Sequence, residues 1–193
     1  MEKLRVTVLF NTAGPPPANQ DYSKDLESGE KQAEYDIHMA LVEAGYDSRL
    51  LGVHSNVNDL LDGIRAQKPD LVFNTCEAFL RKSALEMNVA ALLEMLGVPY
   101  TGSPPAALLL GRDKALAKKI LLFHQLQVPR FGVCPLGQPA NGFAELSYPM
   151  IVKPIAEDGS KGIAQTSVVK EREALCERVA FVHQSLAQDA LVE

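Results

Sequence analysis

The stretch Pro149-Met150-Ile151-Val152-Lys153-Pro154-Ile155-Ala156-Glu157-Asp158-Gly159-Ser160-Lys161-Gly162-Ile163 decides how the rest of the chain is read. Met150 to Val152 is a short apolar run of the kind that makes a buried strand. Lys153 closes it and sits at the strand end. An acidic, glycine-rich turn follows, Glu157 to Gly162, and then a second strand-like run, Ile163 to Val169. The pattern predicts a hairpin. Its loop is able to offer backbone N–H groups to an anion, because glycine has no Cβ and lets the backbone approach a phosphate closely. Lys153 adds a point charge beside it. An ordinary hairpin with a surface lysine fits the same residues, so the remainder of the chain has to decide.

The surrounding composition narrows the field. The 193 residues suffice for one large domain or two small ones, and 47% hydrophobic with 22% charged residues supply a sizeable core. A formal net charge of -5 argues against nucleic acid and against a membrane surface as partners. No apolar run approaches the ~18 residues of a transmembrane helix, and the start, Met1-Glu2-Lys3-Leu4-Arg5, lacks the apolar core of a signal peptide. Cys76, Cys134 and Cys176 are odd in number and widely spaced, which does not describe a disulfide framework. The expected compartment is the cytoplasm.

Upstream of the hairpin, strand and helix periods alternate. Arg5 to Phe10 is a β-rich run, followed by a long polar stretch, Asn11 to Gly29, with Gly14-Pro15-Pro16-Pro17. A loop this long is either functional or mobile. Glu30 to Ala44 places Ala33, Ile37, Ala40, Leu41 and Ala44 on one helical face, with Gly45 as a stop. Asp47 to Val53 is a second strand, Val57 to Ala66 a helix, and Leu71 to Phe73 a third strand. Ser83 to Leu96 is a helix with Leu85, Val89, Leu92, Leu93 and Leu96 inward, and Val98 to Thr101 a fourth strand. This order predicts a parallel sheet with helices on both faces. Ligands bind such sheets beyond the carboxyl ends of the strands. Asn11, Asn74, Glu77, Arg81 and Ser103 are therefore expected to share one edge.

Past Pro104-Pro105, Asp113 caps a helix running to about Leu126, with Leu116, Ile120 and Phe123 inward. Phe131 to Cys134 is a strand candidate. Glu171 to Leu186 is a helix with Leu175, Val179, Val182 and Leu186 inward, and Ala190 to Glu193 begins another strand. The domain boundary is expected near Ser103 to Gly111.

Known phosphate and metal motifs are missing. No G-x-G-x-x-G or G-x-x-x-x-G-K-[ST] occurs, and His38, His54, His124 and His183 lack ligand spacing. Cys76 follows a strand, where a nucleophile could stand, but a small half-buried cysteine is the favoured reading. Glu77 and Arg81 are suited to an amino or carboxylate group, or to pairing with each other. Lys114 follows a helix cap and Lys153 ends a strand beside a glycine turn. If their elements pack together, two cations converge on one anionic ligand.

Leu96-Gly97-Val98-Pro99-Tyr100-Thr101-Gly102-Ser103, then Asp113-Lys114, then Ile151-Val152-Lys153-Pro154 and Asp158-Gly159-Ser160-Lys161-Gly162 resemble the ATP-grasp superfamily, and within it D-alanine–D-alanine ligase. The blocks match in order and spacing from about Leu71 to Glu193. The resemblance implies an α/β chain: a Rossmann-like pre-ATP-grasp domain at 1–103, then the first ATP-grasp subdomain, α+β, at 104–193. It implies that Lys114 and Lys153 contact the phosphates of ATP. Gly159, Ser160 and Gly162 match the flexible phosphate-covering loop, and Glu193 matches the hinge acid that contacts the adenine amino group. Two segments depart from the family: Asn11-Thr12-Ala13-Gly14-Pro15-Pro16 replaces Gly-Gly-x-Ser-x-Glu, and Asn74-Thr75-Cys76-Glu77-Ala78-Phe79 replaces His-Gly-x-x-Gly-Glu-Asp-Gly. Both help to bind the first amino acid in the family, so the resemblance carries ATP further than D-alanine.

The function so implied is an ATP-dependent carboxylate–amine ligase working through an acyl phosphate, with an amino acid or other small carboxylate as substrate. The Mg²⁺ ligands and the second ATP-grasp subdomain would lie beyond Glu193, so no metal ligand and no catalytic residue is assigned here. The chain reads as an amino-terminal part, inactive alone. The strand begun at Ala190 is expected to leave an exposed edge, which admits a homodimer, and Glu193 is expected to fray. The rival reading is a non-catalytic module that binds a small acidic metabolite at the sheet edge.

Overall fold

The computed structural model describes residues 3–17, 20–22, 26, 29 and 31–193. Two compact units divide between Leu108 and Leu109.

In the first unit, strands β1 (Arg5–Asn11), β2 (Asp47–Val53) and β3 (Leu71–Asn74) form a parallel sheet in the order β2-β1-β3. Val6 stands opposite both Ser48 and Leu71. Residues 6 to 10 of β1 are all buried, so both faces of the central strand are covered, as its near-continuous apolar run implies. Thr7 is the polar exception. Its hydroxyl donates to Gln67 Oε1 at 2.6 Å, and Gln67 Nε2 donates to Leu50 O at 3.0 Å, which satisfies both side chains. The fourth strand expected at 98–101 shrinks to a single parallel bridge between Val72 and Tyr100. Val72 N donates to Pro99 O at 2.8 Å and Thr101 N to Val72 O at 2.9 Å. Pro99 has no N–H to lengthen the ladder, and Gly102, at φ +109°, turns the chain away.

Helices α1 (Gln32–Glu43), α2 (Val57–Gln67) and α3 (Glu86–Met95) connect these strands. The Asn56 side chain caps α2 by accepting from Asn58 N at 3.1 Å. Leu60 and Ile64 of α2 pack with Leu9, Leu51, Val53, Val72, Val89 and Leu93 in one core. A 3₁₀ turn, Ser83–Leu85, precedes α3. The inward face expected of α1 is not the one used: Ala33, Ala40 and Ala44 are exposed, and Glu34 is buried beside Lys31 Nζ at 3.2 Å. Alanines offer too little apolar area to dictate a helix's rotation.

The bases of β1 and β3 are clamped by charge. Arg5 Nε and Nη2 donate to the Asp70 carboxylate at 3.1 and 2.7 Å, and Arg5 N adds a third bond at 2.9 Å. These bonds hold the Asp70 carboxyl down at about 2, from an ordinary 3.8. A depressed folded value means that the clamp stabilises fully above the unfolded value of 3.8 and is lost as the pH falls through about 2. Asp70→Asn is therefore expected to lower Tm at neutral pH, with the deficit shrinking below pH 3.8 and closing near 2. A deficit independent of pH in an acid series of thermal melts would contradict this.

In the second unit, β4 (Gly132–Cys134), β5 (Met150–Pro154), β6 (Val168–Val169) and β7 (Ala190–Val192) form an antiparallel sheet in the order β4-β7-β5-β6. Helix α4 (Pro105–Arg112) precedes α5 (Lys114–Phe123), and α6 (Arg172–Leu186) packs Leu175, Val179 and Val182 into a core with Met150, Val152, Val169, Ala190 and Val192.

Four expectations need correction here. The second arm of the hairpin is not Ile163 to Val169 but the two residues of β6, paired as Met150–Val169 and Ile151–Val168. A 3₁₀ turn, Gln165–Ser167, interrupts the run, held by Ala164 N donating to Ser167 Oγ at 3.0 Å. The edge expected at Ala190 is not exposed either: β7 pairs with β4 on one side and β5 on the other. Glu193 N donates to Ile151 O at 3.1 Å and Ile151 N to Glu193 O at 2.7 Å, so Glu193 does not fray. The ground for self-association through that strand is thereby removed. In α5, Leu116 and Phe123 are 38% and 82% exposed, and only Ala115 is buried. The rotation of α5 follows its lysines: Lys114 and Lys118, one turn apart, are both anchored inward on partners described below.

Candidate functional site

The burial of β5 alternates, with Met150, Val152 and Pro154 in the core. Ile151 and Lys153 thus lie on the opposite face. There the ammonium of Lys153 meets one oxygen of the Glu193 carboxylate, and the ammonium of Lys118 meets the other. The Glu193 side chain is only 8% exposed. Burial pushes its carboxyl up, but the hydrogen bonds from Lys118 and Lys153 outweigh that, and the net shift is downward. Glu193 is a carboxylate held ionised between two cations. Lys118 also lies 5.4 Å from the centroid of the Phe131 ring.

Lys114 follows the Asp113 cap, whose carboxylate accepts from Ala115 N and Leu116 N at 2.9 Å each. Its backbone N donates to Ile155 O at 3.2 Å, and its ammonium donates to the carbonyls of Ile155 and Glu157. Burial lowers the pKa of Lys114, against the charges of Asp158 and Glu157, which raise it; Lys153 lowers it further. Lys114, Lys153 and the acidic loop thus lie within each other's fields.

The loop itself runs through left-handed backbone at Gly159 (φ +57°), Ser160 (+60°) and Gly162 (+73°). Lys161 N donates to Asp158 O at 3.0 Å and Ile163 N to Ser160 O at 2.9 Å. Glycine suits position 162 because its φ of +73° is one that L side chains rarely adopt, and a Cβ there would also lie 2.5 Å from Leu186 Cδ1. The Glu157 carboxylate accepts from Lys161 Nζ at 3.0 Å and from Gln188 Nε2. Lys114, Lys153, Glu193, Gly159, Ser160 and Gly162 are accordingly gathered in one unit. Sequence reasoning passed over Lys118, Gln188 and Arg178. The four-residue spacing from Lys114 to Lys118 was a usable signal, as was an arginine between Leu175 and Val179 on an otherwise apolar helix face. Gln188 carried none.

At the edge of the first unit, Asn11 is occupied by the chain itself. Its Oδ1 accepts from Glu77 N at 2.9 Å and Ala78 N at 3.1 Å, and its Nδ2 donates to Ala78 O at 2.8 Å. It pins the segment after β3 to the end of β1. Asn74 does the same locally, its Oδ1 accepting from Cys76 N at 3.2 Å while its backbone N donates to Thr101 Oγ1 at 3.1 Å. Glu77 and Arg81 are exposed and do not pair with each other. Leu80 and Arg81 form a tight turn at φ +54° and +58°, closed by Phe79 N to Lys82 O and Lys82 N to Phe79 O. Ser103 is exposed after the Gly102 turn.

Cys76 is 4% exposed, and burial pushes its thiol up to about 12. A nucleophile needs thiolate, and at pH 8 only about one molecule in ten thousand would carry it. Iodoacetamide at that pH is expected to label the exposed Cys176 and to spare Cys76 until the protein is denatured. Peptide mass spectrometry decides the matter, and labelling of Cys76 at the rate of Cys176 would restore it as a reactive group. Among the described residues, no cluster of three or more His, Cys, Asp or Glu side chains is able to hold a metal ion. No helix among them is long and apolar enough to cross a membrane.

A parallel α/β unit followed by an antiparallel unit is an arrangement shared with solved D-alanine–D-alanine ligase structures. Two solved structures of the D-alanine–D-alanine ligase from Bacillus anthracis, one complexed with ATP, superpose with TM-scores of 0.76 and 0.74 at 20% and 19% identity. Each covers 98% of this chain, which spans 57% and 58% of theirs. In sequence, the chain is 33% identical over 159 residues to the D-alanine–D-alanine ligase of Paramagnetospirillum magneticum, covering 82% of this chain and 48% of that one. It is also 33% identical over 161 residues to the uncharacterized protein y4sG of Sinorhizobium fredii, covering 80% and 46%. No family model matches. The resemblance to ATP-grasp enzymes of the D-alanine–D-alanine ligase kind thus extends over most of the chain, and the chain spans about half the length of these curated relatives.

Proposed function

We propose that this chain supplies the amino-terminal part of an ATP-dependent carboxylate–amine ligase. The observation that carries the reading is the Lys118–Glu193–Lys153 cluster on one face of the antiparallel sheet, in the same unit as the Gly159–Gly162 loop. An adenine-phosphate ligand needs an acceptor for its amino group and cations for its phosphates. Glu193 is the acceptor, Lys153 and Lys114 are the cations, and the amides at Gly159, Ser160 and Gly162 face the phosphate oxygens. The substrate carboxylate attacks the γ-phosphorus of ATP and ADP leaves; an amine then attacks the carbonyl carbon of the acyl phosphate and loses a proton as inorganic phosphate departs. The contribution of these residues is positioning and neutralisation of charge. Among the described residues no cluster of side chains fits Mg²⁺.

The amino acid or small carboxylate binds at the edge of the first unit. Glu77 and Arg81, held by the Asn11 and Phe79–Lys82 contacts, supply one charge of each sign for an ammonium and a carboxylate; Asn74 and Ser103 lie on the same edge. Residues 1–193 alone do not ligate, and the enzyme works in the cytoplasm. Phosphate release from ATP, measured with a panel of amino acids and small carboxylates on residues 1–193 and on the complete gene product side by side, tests all of this. Substrate-dependent release by the complete product alone is expected. Equal turnover by residues 1–193, or none by either, would refute the proposal.

A further inference from the structure

We infer that Arg178 is the positioning residue of the glycine loop, holding its distal end so that the loop turns amides outward to an anion. The inference rests on the nucleotide reading above. Arg178 lies on α6, and nine-tenths of it is buried. Its Nη2 donates to Gly162 O at 2.5 Å and its Nη1 to Thr166 Oγ1 at 3.5 Å. Its guanidinium carbon lies 4.1 Å from the Phe181 ring centroid. Among the described residues it has no carboxylate partner, and its Nε has no hydrogen-bond partner. Burying a guanidinium against a carbonyl, a hydroxyl and a ring is a poor way to stabilise a fold, since an unpaired buried charge is costly. An apolar side chain between Leu175 and Val182 would pack at lower cost. What the arginine does provide is a fixed hold on one carbonyl of the loop.

The near end of the loop is held in the same manner. The Lys114 ammonium takes the carbonyls of Ile155 and Glu157. Cations at both ends therefore draw carbonyl oxygens to themselves. Between them lie the left-handed Gly159, Ser160 and Gly162, and among the described residues none of their amides donates a backbone hydrogen bond. Successive free N–H groups in such a backbone form a concavity suited to an anion. Leu186, packed over Gly162, closes the space into which the loop end would otherwise collapse. Arg178 touches no reacting atom in this scheme and acts only through the loop.

Amide hydrogen exchange and ATP calorimetry on the protein and on Arg178→Met, Arg178→Lys and Lys153→Ala test the inference. Without nucleotide, Arg178→Met is expected to speed exchange at residues 159–163 about tenfold or more, with Val179, Val182 and the β1–β3 strands changed by less than about twofold. Its Kd for ATP is expected to rise roughly tenfold, and Arg178→Lys, which keeps the charge and loses the fork, to fall between. Unchanged exchange in the loop would overturn the inference. So would exchange that rises evenly through α6 and its sheet, the mark of a core residue only, or an unchanged Kd in Arg178→Met where Lys153→Ala weakens binding. If Lys153→Ala also leaves the Kd unchanged, the nucleotide reading falls. Loop exchange in the nucleotide-free protein then decides, for or against, whether Arg178 holds the loop.

Discussion

Replacing Lys153 with alanine is expected to raise the Kd for ATP roughly ten- to a hundredfold. A charge-assisted bond to a phosphate oxygen contributes about 1.5–3 kcal/mol, and each ~1.4 kcal/mol is a factor of ten. The surroundings argue for the upper part of that range. Lys153 is one of two cations on the Glu193 carboxylate, which is 8% exposed and carries the proposed adenine contact. Its removal takes a charge from the phosphates and loosens the hinge acid together. Lys118 remains, so Glu193 stays paired and the fold is expected to survive, which a thermal melt would verify. Calorimetry on Lys153→Ala gives the answer: an unchanged Kd would make this lysine a structural partner of Glu193 and nothing more.

The largest loss of stability is expected from Phe10→Ala, about 3–5 kcal/mol out of the roughly 5–15 kcal/mol that holds a domain together. Phe10 is fully buried at the end of β1, and its ring meets Tyr22 edge-on, with centroids 5.1 Å apart and planes at 75°. Tyr22 is 3% exposed and rests over Gly52, where a Cβ would lie 2.5 Å from its ring. Phe10 thus both fills the core and fastens the connection after β1 to the sheet. Urea unfolding should reveal the loss, accompanied by faster proteolysis around residues 12–17. A change below about 1 kcal/mol would mean that the site collapses around the missing ring, contrary to the rigidity that its packing implies.

The parallel order of the first unit was legible because hydrophobic period and glycine stops are local properties. Asp47–Val53 was read with its observed ends, and Gly45 and Gly97 end their helices in left-handed backbone. The fourth strand failed for a local reason that was also visible, the proline within it. The candidate site was partly legible. Lys114, Lys153 and the loop announced themselves by charge beside glycine, whereas Glu193 looked like a loose end. Its hold depends on β4 and β5, which come from residues far away in the chain.

By itself the sequence determined the alternation of elements, the left-handed glycines and the lysines that follow a cap or close a strand. These need only a few neighbouring residues and the hard limits on the backbone. Tertiary structure alone decided which face of α5 turns inward, because the partners that hold Lys114 and Lys118 come from distant segments of the chain. It alone decided that Asn11 secures the Glu77 segment, how deeply Cys76 is buried and that Arg178 grips Gly162. Each of these is a property of a contact across many residues, and the energy of such a contact exists only after the chain has closed around it.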